Sequence, residues 1–547
     1  MRSSKTFLAF GLILALGASS SAQEVIPQHI LLEDMAVGSP LDSDAENSRD
    51  IRIANFDGSG DGSLDIYVAN LDQTNSLYLN NGTGVFTKSA IAGPAVTDVF
   101  NSRGIALADV EPDGDMDIFV ANSAAQANNL YLNDGFGVFT AVVAGDIVTD
   151  IANSRHAVFF NANGDVAPDL FVANFNGQDN FLYLNDNDGT GSFTKQLVGD
   201  AVSDGGISYD VAIGNIDGDA DIDLFVTNHD GVLGGLGSAN FLYTNDGTGV
   251  FTRVVDPTND ATTDIHNSLG CDFADFNNDG DLDLYVANDE GEKNNFYTND
   301  GTGKFTAIVV GPLVEDMGNS ISARFFDIDG RYKEDLFVAN RITGVAPVES
   351  NCLFMNNGRG GGFGMADQGF GPLEPMVGEL GDTYGFAFGD LDGDSLVDIA
   401  VANFGSVNTV YRNLGRQWDA INSNPGLTQD TWILGSNGRP ILGGSGTLEG
   451  GTPVSIGITD GPSAGFANVY VGLGTIFAPF KGGVFVPSPD FAINGFPLDL
   501  SGDGTLPGVM PALPPGLTFF TQAWMADPLA TTGLGATATN GLSLTTP

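Results

Sequence analysis

Seven short apolar runs, each opened by an aspartate, mark out the first three quarters of the chain. They are I-Y-V-A-N after Asp65, I-F-V-A-N after Asp117, L-F-V-A-N after Asp169, L-F-V-T-N after Asp223, L-Y-V-A-N after Asp283, L-F-V-A-N after Asp335 and I-A-V-A-N after Asp398. Runs this short, rich in β-branched and aromatic residues and bounded by turn residues, are strands; a helix needs about ten residues or more. They are apolar on both faces, as in a sheet covered on two sides. A hairpin follows, seen in L-Y-L-N-N-G-T-G-V-F-T at 77–87, F-L-Y-T-N-D-G-T-G-V-F-T at 241–252 and F-Y-T-N-D-G-T-G-K-F-T at 296–306, with Asn-Gly or Asp-Gly at its turn. In residues 101–142 the pattern predicts strands at Arg103–Ala108, Ile118–Ala121, Leu130–Asn133 and Val138–Val142.

The opening aspartates lie 52 to 63 residues apart. A long fixed period with one supersecondary unit per copy signals a propeller, solenoid or array. Four antiparallel strands in seven copies predict an all-β protein: a seven-bladed β-propeller over residues 23–418, with an open solenoid as the alternative. H-I-L-L-E-D-M-A-V-G at 29–38 resembles a fourth strand but precedes the first copy, while the last copy decays after Asn413. Residues 29–36 are therefore expected to complete the seventh blade and remove an exposed edge. From 419 to 547 acids thin out, and V-S-I-G-I, A-N-V-Y-V-G-L and L-T-F-F-T-Q-A-W read as strands of a C-terminal β-sandwich domain. D-L-S-G-D-G-T-L-P at 499–507 reads as a simple turn.

The segment before each apolar run carries the chemistry. In D-F-N-N-D-G-D-L-D, Asp275, Asn277, Asp279 and Asp283 stand at positions one, three, five and nine, with Gly280 supplying the turn. Clustered carboxylates need neutralising, and Ca2+, which takes six to eight oxygens in a flexible shell, is the natural partner. The same register holds for Asp109, Glu111, Asp113 and Asp117; Asn161, Asn163, Asp165 and Asp169; Asn215, Asp217, Asp219 and Asp223; and Asp390, Asp392, Asp394 and Asp398. The first loop is two residues longer, with Asn55, Asp57, Asp61 and Asp65. The third loop has only two acids and is expected to bind more weakly; the sixth has Arg331 at position five, paired with Asp327, Asp329 and Asp335, and is expected to hold no ion. The alternative for the set is Asx turns without metal.

Two further registers precede the loops. A hydroxyl stands seven residues before each first ligand (Ser48, Ser102, Ser154, Ser208, Ser268, Ser320, Thr383), and an acid four residues before that (Asp44, Asp98, Asp150, Asp204, Asp264, Asp316, Glu379). They read as backbone caps or as a polar rim. Net charge is −49, which excludes nucleic acid and anionic membrane as partners. Residues 1–22, with Arg2, Lys5, the apolar Phe7–Leu16 and a Ser-Ser-Ala end, read as a secretory signal. No later run is long enough to span a membrane. A secreted or cell-surface location follows. Cys271 and Cys352 fall in different repeats, so the fold does not rest on disulfides, although the two could pair in an oxidising compartment.

Loop plus strand resembles the FG-GAP/VCBS repeat of integrin α-subunit propellers and of many secreted bacterial proteins, over roughly residues 29–418. The resemblance implies Ca2+ between the first two strands of a blade; Phe388-Gly389 echoes half of the family's name, and Gly-Ala-Pro is not evident. The opposite end carries the loops between strands two and three, which differ in length as binding loops do. Arg49, Arg103 and Arg155 fall there, as do His156 and His229. They form the candidate ligand face, an anion patch unless the arginines pair with the nearby acids. The expected function is a non-enzymatic, calcium-stabilised binding or adhesion module for protein or glycan. The alternative is an extracellular polysaccharide lyase or hydrolase, though no nucleophile motif is evident.

Overall fold

The computed structural model describes residues 30–34 and 40–416, apart from 42, 59–61, 233–234, 278, 316–317, 329–333, 342–350, 355, 357–381 and 395, together with strands between 441 and 545. The protein is all-β, built of propeller-like repeats. In the second repeat the strands are Val99–Ala108, Asp117–Asn122, Asn129–Asn133 and Phe139–Ala141, antiparallel and adjacent in chain order. The same order holds for Ser154–Phe160, Asp169–Asn174, Phe181–Asn185 and Phe193–Lys195 in the third, and for Ser268–Ala274, Asp283–Asn288, Asn295–Asn299 and Phe305–Ile308 in the fifth.

The last repeat has Thr383–Gly389, Asp398–Val407 and Thr409–Arg416. Its outer strand is Ile30–Asp34, with Leu32 opposite Asn413 and Asp34 opposite Tyr411. The strand expected from 29–36 is therefore present, and it joins the two ends of the repeat region.

The apolar runs are buried at every position because both faces pack on neighbours. Tyr67 and Ala69 of the first repeat share a core with Ile105, Ile118 and Val120 of the second. Ile51 and Ile66 share one with Ala387 and Ala400 of the last repeat, which in turn packs Ile399 and Val401 on Phe337 and Ala339 of the sixth. Each large apolar side chain so buried contributes about 1.5–3 kcal/mol. The first strands of successive repeats lie side by side, and that of the last repeat lies beside that of the first.

One-turn helices at Pro94–Thr97, Asp146–Thr149, Asp260–Thr263 and Pro312–Glu315 link repeats. They escape a sequence reading because a single turn has no helical period to detect. In the C-terminal part, Ile441–Ser445, Pro453–Thr459 and Gly504–Val509 form one sheet, and Phe491–Pro497, Phe466–Gly472, Thr518–Ala526 and Ala536–Thr545 another. Gly504–Val509 takes in the end of the segment 499–507 that was expected to be a turn, and residues 499–503 lie outside the described residues. The expected signal segment lies outside the described residues.

Candidate functional site: ion loops and central channel

The acids that close the loops are fully buried and serve as clamps. Asp117 accepts the N–H of Val110, the loop's second residue, and that of Asn133, which ends the third strand, both at 2.9 Å. Asp65, Asp169, Asp223, Asp335 and Asp398 make the same pair of bonds in their repeats. The strand-ending Asn then bridges to the preceding repeat: Asn133 Nδ2 donates to the carbonyl of Phe56, Asn185 to Val110, Asn245 to Ala162, Asn299 to Ile216 and Asn413 to Ile328. Asn80 donates at 2.7 Å to Leu391, 311 residues away in the last repeat. The sequence reading placed this Asn at the end of the third strand and the start of the turn and gave it no further role; its recurrence before every described turn was the signal for more. Burial pushes Asp117 and Asp283 up to about 7, and Asp65, Asp169, Asp223 and Asp398 up to about 6.

Loop positions three and five form Asx turns, as where Asn277 accepts the N–H of Asp279 and Asp279 that of Asp281, while position one accepts N–H groups three to five residues on. Asp109 accepts the N–H groups of Asp113 and Gly114, and Asp275 those of Asp279 and Gly280. Asn55, Asn215 and Asp390 each accept the N–H of a glycine three residues on, which supports Asn55 as position one of the long loop. Two observations test the fit to a cation. Oδ2 of Asp283 is buried without a hydrogen-bond partner. Oxygens of Asp390, Asp392 and Asp398 lie within 4.8 Å of one another, the one such group among the described residues. A carboxylate has about four acceptor sites, so two backbone donors leave room for an ion. These all-oxygen sets fit a hard cation. Arg412 competes in the seventh loop, pairing with Asp392 and standing 3.5 Å from Asp394. In the third loop Asn163 donates at 3.3 Å to Asp165, and Asn161 to the Asp165 carbonyl, so amides fill part of the space an ion would need. Asp61, Asp329 and Arg331 lie outside the described residues.

The upstream registers are internal. Each hydroxyl is fully buried and donates to the Asn that ends the apolar run: Ser102 to Asn122 at 3.2 Å, Ser154 to Asn174 at 2.9 Å and Thr383 to Asn403 at 2.8 Å, with Ser48, Ser208, Ser268 and Ser320 alike. The acids Asp44, Asp98, Asp150, Asp204 and Asp264 accept the hydroxyls of Tyr78, Tyr131, Tyr183, Tyr243 and Tyr297. Among the described residues the two registers are thus neither backbone caps nor an open rim but braces between side chains; Asp316 and Glu379 lie outside the described residues.

The first strands surround a channel. The residue after each hydroxyl faces it: Arg49, Arg103, Arg155, Tyr209, Leu269, Ile321 and Tyr384 all line one cavity of about 90 Å³ at the end remote from the ion loops. That register could have been read from the sequence. Pairing of the three arginines with the acid ring is not found: among the described residues none forms an ion pair with a carboxylate. Arg49 lies over the rings of Tyr384 and Phe404 at 3.9 and 4.0 Å, and Arg155 over Phe175 and Tyr209 at 4.6 and 4.4 Å. Arg155 donates to the Tyr209 hydroxyl at 3.2 Å, and Arg103 Nε to Ser123 Oγ at 3.0 Å. Burial, with Arg155 and Arg49 close by, pushes Arg103 down to about 9.

A charged belt floors this cavity. Asp210 takes Arg324 at 2.9 and 3.1 Å and His156 Nδ1 at 2.8 Å, while His156 Nε2 meets Arg52 at 3.2 Å. Burial opposes ionisation of Asp210, but Arg324 and His156 together hold it below the usual carboxylate range. With Nδ1 beside Asp210 and Nε2 meeting Arg52, His156 is part of the belt. His229 does not line the cavity: its ring packs on Tyr209, its Nδ1 accepts the N–H of Gly231, and burial lowers its pKa. Beyond the belt a second cavity of about 440 Å³ opens, its wall including Ile53, Leu107, Phe159, Ile213 and Phe388. Cys271 and Cys352 are both thiols and are not joined.

Residues 57–120, 161–226, 224–286 and 275–338 match the profile of the FG-GAP-like repeat. No curated protein matches the chain. Among solved structures, a Dos1 propeller is similar at 11% identity and a TM-score of 0.39, covering 68% of this chain and 78% of that one. A chain of apo ctPRC2 in an autoinhibited state is similar at 9% identity and a TM-score of 0.43, covering 71% of this chain and 98% of that one. The chain thus carries four FG-GAP-like repeats within an all-β fold of propeller-like, blade-like antiparallel sheets.

Proposed function

We propose that the chain is a secreted, calcium-stabilised binding or adhesion module. It comprises seven blades over residues 23–418 and a β-sandwich over 419–547, and it recognises an extracellular protein or glycan. Closure into seven blades is supported by the contact of the last first-strand with the initial one and by the Asn80–Leu391 bond. The loops supply oxygen sets suited to Ca2+, and an ion that binds only the folded chain stabilises it by mass action. One observation carries the binding function: in a chain of net charge −49, three arginines that pair with no carboxylate of the described residues converge on the mouth of a channel. Glycan and acidic-peptide arrays probed with the calcium-loaded protein test this. Saturable binding lost on combined Arg49, Arg103 and Arg155 replacement supports it, and binding indifferent to those residues rejects it. The second reading, a polysaccharide lyase or hydrolase, draws on the acids in the channel; yet Asp50, Asp210 and Asp272 are each engaged by arginine or backbone N–H. Turnover of anionic polysaccharides would favour that reading instead.

A further inference from the structure

We propose that the cavity of Arg49, Arg103 and Arg155 is an oxyanion site, taking one carboxylate, sulfate or phosphate group of a ligand that enters the channel from the end remote from the ion loops. The inference rests on the binding-module reading and names the chemistry of its ligand.

Three arguments carry it. The first is charge. Three like charges held side by side repel one another, and no carboxylate of the described residues pairs with them. The acids of the floor are already committed, Asp210 to Arg324 and His156, and Asp50 to Arg52. The neighbouring Arg341 is likewise matched by Asp289. What remains uncompensated is positive charge, which an anion would neutralise.

The second is geometry. Aromatic rings hold the faces of two guanidiniums, Arg49 against Tyr384 and Phe404, and Arg155 against Phe175 and Tyr209. Stacking leaves the edges, which carry the N–H donors, to turn toward a ligand, and it lowers the entropy lost on binding. Each guanidinium has five N–H groups. The side-chain acceptors within reach are Ser123 Oγ for Arg103 and the Tyr209 hydroxyl for Arg155. Arg49 Nε is buried and has no hydrogen-bond partner among the described residues. Donors therefore outnumber acceptors, and forked donors suit the paired oxygens of carboxylate, sulfate and phosphate.

The third is size. A space of about 90 Å³ holds a few water molecules or one small oxyanion group. The rest of the ligand would project past the loops between strands two and three.

Calorimetric titration of the full calcium-loaded chain with sulfate, phosphate and glucuronate, against chloride at equal ionic strength, tests the site. Saturable binding of at least one oxyanion is expected, weakened about tenfold by Arg103→Gln or Arg155→Gln, as losing one charge-assisted hydrogen bond implies. Arg253→Gln, on an outer strand, should leave binding unchanged. Without any oxyanion, Arg103→Gln should melt no lower than the parent, since it relieves repulsion between buried like charges. This readout also confirms that the variant is folded. Oxyanions acting no better than chloride, or isotherms unaltered by the Gln variants, overturn the site. A chain that binds array ligands but no small oxyanion keeps its role as a binding module and loses this inference. One that binds oxyanions but no array ligand does the reverse.

Discussion

Replacing Asn80 by alanine probes the junction between the first and last repeats. The Asn80 amide donates to the carbonyls of Leu391 at 2.7 Å and Leu64 at 2.9 Å, and its oxygen accepts the N–H of Gly82 at 3.1 Å. Leu391 is fully buried, so water cannot replace the lost donor there. A buried carbonyl left unsatisfied costs about 1–3 kcal/mol. With about 2 kcal/mol at Leu391 and about 1 kcal/mol at the better-hydrated Leu64, the substitution should destabilise by about 3 kcal/mol. That is a large share of the ~5–15 kcal/mol of an ordinary domain. Asn185→Ala, which breaks the equivalent bond to Val110 between consecutive repeats, is the reference. In a closed disc the two variants lose similar amounts in urea titrations, and hydrogen exchange rises around Leu391 in Asn80→Ala. If Asn80→Ala costs under about 1 kcal/mol while Asn185→Ala costs its full share, the first and last repeats are not joined in solution, and the closed arrangement is refuted.

The closing acids give a pH signature. The folded state holds their protons up to about 6 or 7, against 3.8 when exposed, so it binds more protons than the unfolded chain across that window. Metal-free protein should therefore lose stability as pH rises from about 4 to 7, and Ca2+, which favours the ionised form, should offset the loss. A urea midpoint of the chelated protein that rises across this window, or a melting curve indifferent to chelator at pH 7.5, contradicts the reasoning. Asp210→Asn strands Arg324 in the belt and should cost about 3–5 kcal/mol by urea titration; a shift under about 1 kcal/mol would show that the belt is not a coupled unit. Deleting residues 30–34 bares the Thr409–Arg416 edge and should produce concentration-dependent association in light scattering, whereas an unchanged monomer would show the edge to be protected by other means.

The period of the apolar runs made the strands legible, because a blade interior needs unbroken I-F-V-A segments on both faces. The N-terminal strand was legible for the same reason: H-I-L-L-E-D had no partner in its own repeat. What the residues at the site do was harder to read. Asp117 and its equivalents look like ligands by spacing, yet in the fold they also clamp two N–H groups from distant segments, and no local pattern encodes a bond to Asn133. Ser102 and Asp98 look like rim residues because polarity suggests water; here Asn122 and Tyr131 satisfy them. His156 drew notice as a rare residue in an acidic chain, but Asp210 and Arg52, brought in from other repeats, stand against its two nitrogens. The arginine triad, by contrast, was visible in the sequence because all three sit one place after the hydroxyl.

The strand Ile30–Asp34 has a bearing on how the molecule is made. It leaves the ribosome well before its partner Thr409–Arg416, which emerges only after every intervening blade. Bringing ends so far apart together carries a loop entropy that grows only as the logarithm of length, so the delay, rather than the thermodynamics, is the hazard. Until then two complementary edges stay open on one nascent polypeptide. At high local density the leading segment of one copy can latch onto the trailing edge of another, giving strand-exchanged dimers with the same pairing. Refolding at low protein concentration should suppress such pairs, and refolding at high concentration should favour them.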